Sequence, residues 1–354
     1  MSRETRKLEH IRLALAQRTH ECGGFEDIRF VHQSLPESDL SETALETRIG
    51  ELTFSSPILI NAMTGGADKT KEINRKLAIA AAETGVAMAV GSQRAAIVDP
   101  ALIHTYSVVR EVNPQGIIAA NLGADASVED AIRAVEMIQA DLLQLHVNVP
   151  QELIMPEGDR SFRGIRKRIA EIVKYSPVPV IVKEVGFGMS YETYKELIDI
   201  GVRIIDVGGR GGTNFIRIEN ERRKHRRFVS IETWGQSAAI SLLEAGPFLD
   251  RVDVIASGGI RNALDVAKSL SLGASVVGIA GSFLRILQEE GLEALIDEIT
   301  HLHEELRVIM TILGCNTISE LRDVPLVITG FTADWCHART IDIQRYATRC
   351  RKDR

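Results

Sequence analysis

Between about residues 57 and 290 the chain alternates two hydrophobic periods that no single element can satisfy. Short apolar, largely β-branched runs recur as PILI (57–60), VAMAV (86–90), IIAA (117–120) and LLQLH (142–146). VPVIV (178–182), RIIDV (203–207), DVIAS (253–257) and SVVGI (275–279) follow. Stretches of helical periodicity separate them, for example KEINRKLAIAAA (71–82) and VEDAIRAVEMI (128–138). Strands alternating with helices require a parallel sheet, because each crossover must return the chain to the same end. Eight such units over roughly 230 residues fit a closed (β/α)8 TIM barrel, typically about 250 residues long. An open doubly wound sheet is the alternative, but its G-x-G-x-x-G turn is missing after the first strand, which leads instead into NAMTGG (61–66).

The flanks read differently. Residues 1–56 predict a leading helix and a short antiparallel cap, with strand-like stretches 27–32 and 45–54 on either side of a PESD turn. Residues 291–354 predict a long C-terminal helix and a tail closing over one end, part of the same single domain.

Composition removes several classes. Charged residues are 25% of the 354, and no run approaches the roughly 18 apolar residues of a membrane span. A net charge of −6 gives no electrostatic footprint for nucleic acid. Cys22, Cys315, Cys336 and Cys350 form no C-x-x-C pair, which argues against a zinc site or a disulfide framework. The N-terminus is basic but lacks the apolar core of a signal peptide, so a cytoplasmic protein is expected.

Active sites of such barrels sit at the C-terminal strand ends. Here those ends carry Asn61, Ala62, Met63 and Thr64; Ser92 and Arg94; Asn121; His146 to Glu152; Lys183; Thr213; and Ser257. Glycines follow strands 7 and 8 at Gly258, Gly259 and Gly281, each leading into a helix. Uncrowded backbone N–H groups at a helix start bind phosphate well. With Thr213 adding a hydroxyl and Lys183 a central cation, the set suits FMN, whose reduced ring carries negative charge. A phosphorylated substrate without flavin is the other reading of these residues. Arg6, Lys7 and His10 share one helical turn, a second anion site able to fold over a diphosphate. The basic run 222–227 after strand 6 is expected to be a solvated, mobile lid, and Trp234 a core or shelf aromatic. His301 and His303, two apart on a helix, face different ways and make no metal pair.

In these residues the chain resembles the type 2 isopentenyl-diphosphate isomerases. The matching stretches are Arg6-Lys7 with His10, NAMTGG (61–66), VGSQR (90–94), LHVNVPQE (145–152) and PEGDR (156–160). They continue through KEVGFGMS (183–190), DVGGRGGTNF (206–215), IEN (218–220), WG (234–235), SGGIR (257–261) and IAG (279–281). The resemblance runs in order over about residues 3 to 330. It implies a flavoprotein using reduced FMN, Mg²⁺ and NAD(P)H to interconvert isopentenyl and dimethylallyl diphosphate, as a homo-oligomer (tetramer or octamer). It further implies that Ala62, Met63, Thr64, Ser92, Asn121, Lys183, Thr213, Gly258, Gly259, Arg261, Ala280 and Gly281 hold FMN. Arg6, Lys7, His10, Ser92, Arg94, His146, Asn148 and Gln151 would contact the diphosphate substrate, and Glu152 the metal. Gln151 is given an orienting role, since a neutral amide is a poor acid or base. The proton chemistry then falls to the flavin.

Two enzyme rivals fail on single residues. An FMN-dependent 2-hydroxy-acid oxidase needs a histidine base after strand 6, where this chain has Val207-Gly208-Gly209-Arg210. A cysteine-nucleophile dehydrogenase needs a thiol at a strand end, and none of the four cysteines lies there. A non-enzymatic flavin-binding barrel would have no use for Glu152 with Gln151 or for the basic arm.

Overall fold

The computed structural model describes residues 3–17 and 23–349, and the side chains among these from residue 9 onward. Its centre is a closed barrel of eight parallel strands taken in chain order. They are Ile58–Ile60, Ala87–Ala89, Ile118–Gly123, Leu142–Val147, Val180–Glu184, Ile204–Asp206, Asp253–Ser257 and Val276–Ile279, barrel strands 1 to 8 below. The ring closes where Val277 of strand 8 pairs with Ile58 of strand 1. All eight predicted runs supply a barrel strand.

The period of two along each strand divides the apolar residues between two cores. Leu59, Ala87, Ala89, Ala119, Leu142, Ile181, Ile204, Ile255 and Val276 point inward and fill the barrel. Alternate positions such as Ile58, Ile60, Met88, Leu143, Leu145 and Val182 belong to the larger core shared with the surrounding helices. The predicted helical stretches 71–82 and 128–138 lie within Asp68–Thr84 and Val128–Ile138. Several outer helices start on a side-chain cap: the Ser127 hydroxyl accepts from the Asp130 N–H at 3.1 Å, and Ser190, Ser237 and Asn262 cap theirs likewise.

The flanks depart from expectation in their pairing. The stretch 45–54 folds on itself as a hairpin, Thr47–Ile49 with Leu52–Phe54. Its Ile49 and Phe54 join the inward core and stopper the end of the barrel opposite the strand C-termini. Ile28–Phe30 pairs instead with Leu326–Ile328 near the other end of the chain. Three-residue strands carry too little pattern to name a partner. After the long helix Leu292–Ile312, the tail forms this strand and a helix, Gly330–Ala338. That helix packs on the barrel's flank, with Trp335 Nε1 and Arg339 Nε each donating to Glu244 at 3.0 Å.

Truncating the stopper separates stability from binding. Ile49, 1% exposed, becomes a cavity in Ile49→Ala, and the expected loss is about 2–5 kcal/mol, read as a lower denaturant midpoint. Flavin affinity, governed from the opposite end, should stay within twofold.

Candidate active site

In six of the eight strands, two residues beyond the last inward apolar residue, the barrel interior turns polar. Leu59 is followed two residues on by Asn61, Ala119 by Asn121, Leu142 by Gln144 and then His146. Ile181 is followed by Lys183, Ile204 by Asp206 and Ile255 by Ser257. Period two therefore gathers these side chains into a single layer above the apolar fill. Asp206, fully buried, is its hub. Lys183 Nζ lies 3.2 Å from its Oδ2, and Asn61 Nδ2 donates to the same oxygen at 2.7 Å. The Ser257 hydroxyl and the Gly208 N–H donate to Oδ1. Lys183 Nζ also donates to Ser257 Oγ at 3.1 Å. From Asn61 the bonds continue through Gln144 and Asn121 to His146. Burial pushes the neighbouring Glu184 carboxyl up to about 8, against the opposing pull of the Phe187 N–H and Lys183. Asp206 is the carboxylate in direct contact with the lysine.

Above this layer, on the side of strands 5 to 8 and 1, opens a cavity of about 460 Å³, within the roughly 300–1,000 Å³ usual for small-ligand sites. Nine residues expected to hold FMN line it: Ala62, Met63, Lys183, Thr213, Gly258, Gly259, Arg261, Ala280 and Gly281. Its wall requires glycine. A Cβ on Gly258 (φ 104°) would lie 1.9 Å from the Gly209 carbonyl oxygen, and one on Gly208 (φ 47°) would lie 1.8 Å from that of Glu184. Glycine-walled loops leading into a helix start are the kind of surface that binds phosphate well. A flat ring bearing a phosphate tail fits this mixture of glycine backbone, the hydroxyls of Thr213, Ser257 and Ser282, and one central cation. The N-terminal helix Arg3–Ala16 roofs the cavity through Ala14, Leu15 and Gln17. Gln17 locks it down, exchanging two 3.0 Å bonds with the backbone of Asn214 and accepting one from Arg285.

The remaining expected residues divide. Asn121 belongs to the polar layer, below the cavity wall. Thr64 is buried with its hydroxyl turned to Asn74, the Ser92 carbonyl accepts from the Tyr106 hydroxyl at 2.6 Å, and none of the three lines the cavity. Arg94 is half-exposed and paired with Asp130 at 2.7 Å. Arg6 and Lys7 lie in the N-terminal helix, but their side chains fall outside the described residues. Cys22 and Cys350 fall outside them too.

Beside the cavity, the loop after strand 4 forms a second polar group. Asn148 Nδ2 donates to Gln151 Oε1 at 3.2 Å and to Glu152 Oε1 at 2.9 Å, and the Asp159 N–H donates to Glu152 Oε2 at 3.0 Å. Gln151 Nε2 in turn donates to Glu219 at 3.2 Å. Glu219 is fully buried and also binds His10 Nε2 at 2.9 Å and Arg222. Burial opposes its charge, but His10, Arg222 and Gln151 outweigh it and hold the carboxyl below its ordinary value of 4.5. Arg222 reaches Glu9 and Glu157 as well, at 3.1 and 2.6 Å, with its side chain only 5% exposed. The basic run is therefore not uniformly solvated. Arg222 is a buried clasp and Arg226 pairs with Glu232 at 2.7 Å, whereas Lys224, His225 and Arg227 are exposed. Trp234 is no core aromatic: it is 64% exposed. His303 binds Ser56 Oγ at 2.7 Å and His301 faces solvent, on different faces as the spacing required.

Asp206, Gln144 and Glu219 are the residues sequence reasoning passed over. Counting two positions on from each inward apolar residue finds the first two. Glu219 has no such signal, because its partners come from three separate segments.

Comparison with known proteins agrees with this geometry. The family profile described as FMN-dependent dehydrogenase matches residues 159–327. The isopentenyl-diphosphate delta-isomerase of Geobacillus sp. (strain WCH70) is 53% identical over 350 residues, covering 99% of this chain and 100% of that one. The chain belongs to the isopentenyl-diphosphate delta-isomerase family. The Bacillus licheniformis member is likewise 53% identical over the same shares. Among solved structures, a flavocytochrome b2 with benzoylformate is 20% identical, with a TM-score of 0.64 over 92% of this chain and 79% of that one. A mandelate oxidase with an FMN adduct is 18% identical, TM-score 0.62, over 91% and 92%. These two share the fold. At 18–20% identity they speak for the fold alone, whereas the relatives that match this chain over its whole length at about 53% are isomerases. Among the described residues, no helix is long and apolar enough to cross a membrane, and no three His, Cys, Asp or Glu side chains form a metal cluster.

The lowered Glu219 carboxyl makes a pH-dependent prediction. A depressed acid contributes stability that is fully present above its unfolded value and lost as pH falls through its folded one. Glu219→Gln should therefore cost about 1.5–3 kcal/mol at neutral pH. Below about pH 4.5 the difference from wild type should shrink. Denaturant titrations of both proteins across that range check it; a constant difference would remove the carboxylate as its cause.

Proposed function

We propose that this barrel interconverts isopentenyl and dimethylallyl diphosphate by an allylic proton shift. Reduced FMN would occupy the glycine-walled cavity, Mg²⁺ would sit at Glu152, and NAD(P)H would serve as reductant of the flavin. The observation that carries this reading is the placement of two groups at one barrel mouth: a glycine-walled cavity around Lys183, linked through the polar layer to His146, and the Asn148–Gln151–Glu152 group on the loop that follows the strand of His146. Bound reduced flavin would supply a proton donor and acceptor for the alkene, with no net redox change.

The protein's own groups bind, orient and exclude water. Lys183, held by Asp206 and Ser257, presents a cation where the ring would carry negative charge. Thr213 and the loops at Gly258–Gly259 and Ala280–Gly281, with Arg261, would hold the phosphate, and Ala62 and Met63 would line the ring. Thr64, Ser92 and Asn121 support that wall from behind. Glu152 offers one carboxylate, the sparse protein donation usual for Mg²⁺, which keeps its waters and bridges phosphate oxygens. Gln151, steered by Glu219, and His146 would orient the substrate, together with Asn148, Ser92 and Arg94. The roof helix brings His10 to the same carboxylate and carries Arg6 and Lys7, the cations that would close on the diphosphate. A cytoplasmic homo-oligomer, tetramer or octamer, completes the proposal.

Glu152→Gln removes one charge and keeps the shape. Losing a charge-assisted contact costs at least about 1.5–3 kcal/mol, roughly tenfold or more in kcat/KM. FMN should stay bound, because the cavity lies elsewhere. Mg²⁺ titrated against activity, with flavin absorbance followed in the same samples, checks both halves. An unchanged Mg²⁺ dependence and rate would remove Glu152 as the ligand, and loss of FMN would end the two-site picture. Lys183→Ala should weaken FMN binding and slow turnover together. Nicotinamide oxidised one for one with product would overturn the isomerase reading.

A further inference from the structure

The hydrogen bonds between Asp206 and His146 have a direction, and that direction can be followed atom by atom. An ionised carboxylate accepts and never donates. Each group that reaches Asp206 here is a donor: Asn61 Nδ2, Lys183 Nζ, Ser257 Oγ and the Gly208 N–H. Asn61 must therefore turn its NH₂ toward Asp206, leaving Oδ1 on the other side. The Ala62 N–H, which can only donate, meets that same Oδ1 at 2.9 Å and fixes the amide independently. Asn61 Oδ1 then takes a hydrogen from Gln144 Nε2 at 3.1 Å. Gln144 Oε1 takes one from Asn121 Nδ2 at 3.0 Å. What Asn121 has left is Oδ1, and it faces His146 Nδ1 at 2.9 Å. A carbonyl oxygen there requires a hydrogen on Nδ1.

We propose that Asp206 sets the tautomer of His146 through three intervening amides, so that Nδ1 keeps its hydrogen and Nε2 is the nitrogen that gains or loses a proton. Asp206 is thus a positioning residue, since it never touches the imidazole. Which ring nitrogen carries the proton follows from the bond made by the other one. Reversing any one amide would set oxygen against oxygen at one end of the chain and N–H against N–H at the other. With Asn61 held at one end by Asp206 and the Ala62 N–H, the network keeps this one set of directions. The use of this tautomer in handling substrate rests on the isomerase reading above; the tautomer itself does not.

The two ring nitrogens of His146 can be read directly by two-bond ¹H–¹⁵N correlation spectra of protein with ¹⁵N-labelled imidazoles. The apo and FMN-loaded forms are both measured, with the signal assigned by its loss in His146→Gln. The expected wild-type pattern is hydrogen on Nδ1 and a lone pair on neutral Nε2. Gln144→Met cuts the chain between Asn61 and Asn121 while keeping the bulk of the side chain, and should populate the opposite tautomer. Adding Asn121→Asp to that variant places a carboxylate directly against Nδ1 and should restore the wild-type pattern. Hydrogen on Nε2 in the wild type would overturn the proposal, as would a Gln144→Met spectrum identical to wild type. The wild-type spectrum is decisive alone should that variant fail to fold. Failure of the isomerase reading would show instead as absent turnover of isopentenyl diphosphate in the same samples.

Discussion

A buried cation set against a buried carboxylate at the barrel mouth governs how the surrounding groups are arranged. Taking Lys183 and Asp206 out of water is costly, and their mutual attraction offsets that cost only when the remaining valences are filled. Asp206 meets the requirement with Asn61, Ser257 and the Gly208 N–H, and Lys183 with Ser257 and the Glu184 carbonyl. Each of these partners is thereby committed to one orientation. The pair therefore contributes less to net stability than to order, because it leaves the amides around it a single consistent set of directions.

That order depends on backbones lying closer than side chains normally permit. The Asp206–Val207–Gly208 turn passes against the Glu184 carbonyl, and the loop at Gly258 passes against Gly209. The resulting wall is rich in glycine on this side, where no side chain fits between the loops. The opposite side of the mouth works in the other way, with Glu219 and Arg222 gathering long side chains from the roof helix, the strand 4 loop and the segment after strand 6.

Much of this was legible in the sequence, for identifiable reasons. Each barrel strand announces itself because it is buried on both faces, so even three residues such as Ile58–Ile60 stand out against the amphipathic helices around them. The cavity residues were legible because glycines at the ends of strands 7 and 8 have few other uses. Asp206 was hidden by its position inside an apparent hydrophobic run, where an acidic residue reads as an interruption. The partner of Ile28–Phe30 was hidden because short strands encode no register. Arg222 was disguised by its basic neighbours: a charge run looks solvated unless the three carboxylates that enclose it are known. Of the two places expected for Trp234, core or shelf, its exposure excludes the core.

Ring closure between Ile58 and Val277 has a bearing on how such a chain is made. A ribosome delivers strand 1 early and its last neighbour late, and until then the sheet has two open edges and the wall at Gly258 and Gly281 does not exist. The roof helix, made before its partners, waits for Asn214 and Arg285 to grip Gln17. A nascent chain can therefore bury much of its helical shell while remaining unable to hold a cofactor. The cavity that would take the flavin is complete only once strand 8 and the Ala280–Gly281 loop have joined it.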